Sequence, residues 1–121
     1  MSDRFFVFVG GLFGFWGVAA AAAAAHIAGS GTLATAASFL LVHAVLLVAL
    51  PAALNAWVAH RGLMRVGGWL LAAGVLLFTG DLTLRALVDG SLFPMAAPTG
   101  GILVMLGWAA IGTSGLVSSR L

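Results

Sequence analysis

Four long apolar runs separated by short polar breaks predict an all-α membrane protein, an antiparallel up-down-up-down bundle of four transmembrane helices. Two further observations support this. Hydrophobic residues make up 63% of the 121-residue chain and charged residues only 7%, against roughly 25% charged in a soluble domain. Mean hydropathy is +1.20. The connections are too short to hold another domain, so residues 1–121 read as a single integral membrane domain.

The first span is expected over about 5–28, where no acid or arginine occurs; roughly 20 such residues suffice to cross the hydrocarbon core. Arg4 ahead of an apolar run and an alanine stretch (Ala19 to Ala25) is also the layout of a secretory leader. The apolar run is long for a leader, so a retained span is expected. Gly10, Gly14, Gly17, Ala21 and Ala25 recur at three- and four-residue steps, giving one face that can approach a neighbour closely.

Gly29-Ser30-Gly31-Thr32 reads as a short turn. The second span, about 36–59, holds His43, Pro51 and Asn55. Pro51 has no N–H for the carbonyl of Leu47, so a kink is expected there. The third span, about 66–88, contains Asp81 and Arg85. Asp89-Gly90-Ser91 with Pro94 and Pro98 forms the last loop. The fourth span, about 99–117, offers Gly100, Gly101, Gly107, Gly112 and Gly115 for helix contacts.

Alternating spans put Arg4, Arg61, Arg65 and Arg120 on one side and Arg85 alone on the other. Both termini are therefore expected in the cytoplasm of a bacterial inner membrane, or in the matrix of a mitochondrial one. Trp57 and Trp69 lie near the same interface, as belt aromatics do.

Composition also excludes functions. With no Cys, disulfides, thiolate metal sites and thiol catalysis are ruled out. The pI near 11.4 reflects five scattered arginines without lysine or tyrosine, not a clustered basic face, so no nucleic-acid partner is expected. The expected partners are the lipid bilayer and, within it, other proteins or further copies.

The polar side chains of the spans gather in one leaflet. Asp81 lies seven residues before the outer end of its span and His43 seven after the outer start of its own, each about 10 Å deep. His26, Thr79, Thr83, Arg85 and Thr99 belong to the same half, which makes His26, His43, Asp81, Arg85 and Thr99 the candidate polar cluster. Asp81 and Arg85 stand one turn apart with the acid first, the favourable order for an ion pair. Either this pair satisfies itself, or Asp81 faces His43 or His26 across the bundle. The histidines allow interhelical hydrogen bonds, or a haem or quinone held by His26 and His43, or a transition metal with Asp81. No metal-binding spacing is present, so neither a metal nor a cofactor is expected. His60 beside Arg61 reads as an ordinary interfacial residue.

Several pieces of the chain together resemble a known family. They are Ala25-His26, His43-Ala44-Val45-Leu46-Leu47, Leu77-Phe78-Thr79-Gly80-Asp81-Leu82, Pro98-Thr99-Gly100-Gly101 and Gly107-Trp108. Their order and spacing resemble the small membrane proteins grouped with bacterial YgdD and YwdK and eukaryotic transmembrane protein 256, a domain of unknown function. The resemblance implies four transmembrane helices and no established activity. The positions it carries over are His26, His43, Gly80, Pro98, Gly100 and Gly101, a structural or binding feature at the outer end. Family members usually carry a small hydroxyl residue where this chain has Asp81, so Asp81→Ser is expected to fold.

Three functional classes follow. The first is a structural or accessory component of a membrane complex, favoured by small size and small-residue helix faces. The second is binding or transport of a proton, ion or small solute past Asp81 and His43, since ionisable groups inside a membrane are functional candidates. The third is a redox-cofactor protein. No nucleophile–base pair is evident, so an enzyme is not expected.

Overall fold

The structure, a computed structural model, describes residues 2–56 and 60–117. It is all-α, with α1 (Ser2–His26), α2 (Gly31–Asn55), α3 (Arg61–Val88) and α4 (Ala96–Ser114). All four are long and apolar enough to cross a membrane. The shortest, α4, has 19 residues and spans about 28 Å, close to the hydrocarbon thickness.

The helix limits differ from the expected spans at several ends, because hydropathy marks where apolar side chains begin and helices begin where backbone bonds do. α2 starts at Gly31, inside the expected turn, once the Ser30 carbonyl accepts from Ala34 N–H. Pro98 belongs to the first turn of α4 rather than to the loop. Proline is tolerated there because first-turn N–H groups have no intrahelical partner. α2 runs on as one helix through Pro51 and stops at Asn55. Trp57, one of the expected belt aromatics, and Arg120 lie outside the described residues.

Helix α1 packs along α2, and α3 along α4; α2 and α3 join the two hairpins, and α1 touches α3 lightly. Among the described residues α4 makes no close backbone approach to α1 or α2. The core between the hairpins is built from Phe6 and Phe13 of α1, Leu40, Leu47 and Leu54 of α2, and Leu71 and Val75 of α3. A smaller cluster of Ala20, Leu33 and Ala37, with Trp16 and Ala86 against it, closes the end that carries the α1–α2 and α3–α4 loops.

Glycines set how close the helices come. A Cβ on Gly74 would lie 2.8 Å from the Gly100 carbonyl oxygen, and one on Gly100 would lie 2.7 Å from that of Gly74. Gly67 and Gly107 face each other in the same way, each 2.9 Å from the other's carbonyl oxygen. One turn pair up α3 thus matches one turn pair down α4, which is an antiparallel register. Gly10 and Gly17 do the equivalent for α1 against Val48 and Leu41 of α2, while Gly14 sits in ordinary contact with Ala44. Dispersion across such close backbones replaces the hydrophobic drive that lipid removes. Gly101 and Gly112 take no part, since a Cβ on either meets nothing within 4 Å.

Candidate functional site

Asp81 is the most enclosed charged group described, with 0% of its surface exposed. Its Oδ2 accepts from Arg85 Nε at 2.7 Å. Its Oδ1 accepts from Ser91 Oγ at 2.7 Å and from the Leu92 backbone N–H at 3.0 Å. The Ser91 hydroxyl also lies 3.0 Å from the Phe93 carbonyl, but it has one proton, and the shorter charge-assisted bond to the carboxylate is the stronger use of it. Arg85 is half exposed, so one end of the pair reaches the protein surface. The arrangement is a clasp: a carboxylate on α3 holds down the start of the loop leading to α4.

Local backbone brings the loop there. Asp89 closes α3 in the left-handed region at φ 55°, which short polar side chains tolerate. Its N–H and that of Gly90 turn back to the Leu84 carbonyl. This reversal returns Ser91 and Leu92 to the last turns of α3, where Leu92 also covers Gly80 at 3.4 Å from a Cβ built there.

His43 is 4% exposed. Its Nδ1 lies 2.7 Å from the Phe39 carbonyl, and its Nε2 lies 3.1 Å from Trp108 Nε1. A carbonyl only accepts and an indole N–H only donates, so the pair of bonds fixes the Nδ1–H tautomer. The imidazole therefore links α2 to α4 across a gap that their backbones leave open. A groove of about 380 Å³ runs beside this link, lined by Ser38, Phe39, Val42, His43, Val104 and Trp108. Replacing His43 with Phe leaves the Trp108 N–H without an acceptor. We expect a loss of about 1 kcal/mol in unfolding measurements in detergent, the scale of one interhelical hydrogen bond in a membrane; a neutral result would reduce His43 to packing.

The sequence-derived cluster is only partly assembled. Asp81 and Arg85 are paired, and His43 stands apart on Trp108. His26 is exposed at the last residue of α1, and no hydrogen bond joins it to His43 or Asp81. Thr99 and Pro98 are exposed in the first turn of α4, and a Cβ on Gly101 would meet nothing within 4 Å. Thr79 and Thr83 bond back to the carbonyls of Val75 and Thr79, one turn earlier. Among the described residues no three His, Asp or Glu side chains gather as they would for a metal ion.

Other partners were not read from the sequence. Ser91 and Leu92 are loop residues whose return depends on the reversal at Asp89. Trp108 and His43 are 65 residues apart. At the opposite end, Arg65 Nη2 donates to Asp3 Oδ1 at 2.9 Å, tying α1 to α3. His60 is not a bystander: its Nδ1 accepts from Leu63 N–H and caps α3, and its own N–H donates to the Ser114 carbonyl of α4. A polar residue directly before an apolar helix is the signal that could have marked this cap.

Residues 11–101 fit the model of a family described as protein of unknown function (DUF423). No solved structure matches the chain.

Proposed function

Given that the chain belongs to the DUF423 family of proteins of unknown function, with four helices able to cross a membrane, we propose that it is a structural or accessory component of a membrane complex. One observation carries this reading. The buried polar side chains of the spans are spent inside the chain: Asp81 on Arg85, Ser91 and Leu92, His43 on Phe39 and Trp108, and Thr79 on Val75. A transport path needs polar groups free to exchange partners with the solute along its length. The groups here are held in fixed pairs at separate places.

A bacterial inner membrane with both termini in the cytoplasm is the placement that accords with Arg4, Arg61 and Arg65 at one end and Arg85 at the other. No enzymatic role and no resident cofactor are part of this reading. The groove beside His43 favours a second one, binding of a haem or quinone. Against haem, both ring nitrogens of His43 already have partners. Native mass spectrometry of gently extracted protein separates the readings. A stoichiometric heteromeric partner and a spectrum without a Soret band are expected. A lone monomer carrying a chromophore would reverse the order of the two.

A further inference from the structure

Neither reading uses the groove between α1 and α3. It encloses about 310 Å³ and is lined by Val9, Leu12 and Phe13 of α1 and by Trp69, Ala72 and Leu76 of α3. Every one of these side chains is uncharged, and the stretch from Trp69 to Leu76 is about 10 Å long.

The groove has one charged end. Arg65, Trp69, Ala72 and Leu76 follow at steps of four, three and four residues, so they share one face of α3. Arg65 therefore stands at the mouth, one turn from Trp69. Its side chain is 34% exposed. One guanidinium nitrogen serves Asp3, while Nε is buried and has no hydrogen-bond partner. Arg61 precedes it by another turn, and the first turn of α3 contains no acid. Arg4 lies at the same end, beside Asp3 in the first turn of α1. A cation near the start of a helix is opposed by the helix dipole, and an anion brought to Arg65 relieves this. Trp69, 40% exposed and tilted on Phe6 at a ring distance of 4.8 Å, supplies an amphipathic wall at the same level.

We propose that this groove binds one anionic phospholipid, with an acyl chain along α1 and α3 and the phosphate at Arg65. An apolar trough with a cationic mouth selects an amphiphile with a negative head. A soluble phosphate gains nothing from the trough, and a zwitterionic lipid brings its own cation to the arginines.

The test uses the full-length protein in neutral detergent with equal amounts of dioleoyl phosphatidylglycerol and dioleoyl phosphatidylcholine, read by native mass spectrometry. One phosphatidylglycerol is expected to be retained in preference to phosphatidylcholine. Arg65→Gln is expected to lower that preference about fivefold, the effect of one basic residue beside an anionic head. Asp3→Asn frees Arg65 from its carboxylate and is expected to raise the preference, whereas a merely structural Asp3–Arg65 pair predicts that both variants weaken retention alike. Ala73→Phe, which fills the groove from its lining, is expected to reduce retention of both lipids. Excess glycerol 3-phosphate is expected not to displace the lipid; displacement would mean a phosphate site without an acyl groove. Circular dichroism confirms that each variant is folded. Equal retention of the two lipids, or an unchanged preference in folded Arg65→Gln, overturns the proposal.

Discussion

Gly74→Ala is expected to destabilise the α3–α4 hairpin by about 2–3 kcal/mol, the upper part of the range for overpacking a close contact. The added methyl carbon would sit 2.7 Å from the Val104 nitrogen and 2.8 Å from the Gly100 carbonyl oxygen. Both obstacles are backbone, so no side chain can rotate out of the way. The helices must separate, and every close contact from Gly67 to Gly107 loosens with them. Gly100→Ala meets the Phe78 nitrogen at 2.5 Å and the Gly74 oxygen at 2.7 Å, and is expected to cost as much. The two substitutions obstruct one contact, so one separation accommodates both, and the double variant is expected to lose much less than the sum. Gly101→Ala is the control, with nothing within 4 Å of the new carbon. Unfolding of detergent-solubilised protein is the measurement. If Gly74→Ala and Gly101→Ala unfold alike, the reciprocal glycine contact is not what holds the hairpin.

Asp81→Ala is expected to release the α3–α4 loop and cost about 2–4 kcal/mol, since hydrogen bonds to a charged group are worth roughly 1.5–3 kcal/mol each and some of that returns when no carboxylate is buried. Three donors lose their acceptor together: Arg85 Nε, Ser91 Oγ and the Leu92 N–H. Arg85, half exposed, recovers by turning to water or headgroups, so the ion pair itself supplies little of the total. The loop donors carry the effect. Asp81→Asn keeps an acceptor for Ser91 and Leu92 and is expected to cost less than Asp81→Ala. Asp81→Ser is expected to keep the four helices, whose packing is set elsewhere, but to leave the loop loose because the shorter side chain does not reach Ser91. Hydrogen exchange at the Leu92 amide reports this directly. Unchanged protection in Asp81→Ala would mean the loop is held by Leu92 packing on Gly80 instead.

The four helices were legible because a membrane demands long uninterrupted apolar segments, and composition states that without reference to any partner. The i,i+4 relation of Asp81 and Arg85 was equally legible, being a property of one helix. Contacts between helices were not. In a lipid-facing helix nearly every side is apolar, so periodicity does not mark the buried face. Five glycines in the fourth span looked equivalent; the structure uses Gly100 and Gly107 and leaves Gly101 and Gly112 open. The candidate cluster suffered for a similar reason. Span limits put His43 and Asp81 at equal depth, but α2 begins at Gly31, so His43 lies twelve residues from its helix end and Asp81 seven from its own, and rotation about each helix axis was not visible at all. His43 turns toward Trp108 and Asp81 toward Ser91 and Leu92, while His26 and Thr99 remain at the surface.

The sequence by itself determined that this is an all-α protein of four apolar helices, that arginine crowds one end, and that Asp81 has a cation one turn away. These are local or additive properties, set by composition and by spacing along a single helix. Only the tertiary structure decided which glycines let backbones touch, that His43 bridges α2 to α4, that Asp81 clasps a loop, and that an α1–α3 groove opens beside Arg65. Those features depend on the rotation and register of one helix against another. In a chain whose helix faces are almost uniformly apolar, the fit of backbones and the few polar side chains between them set that register.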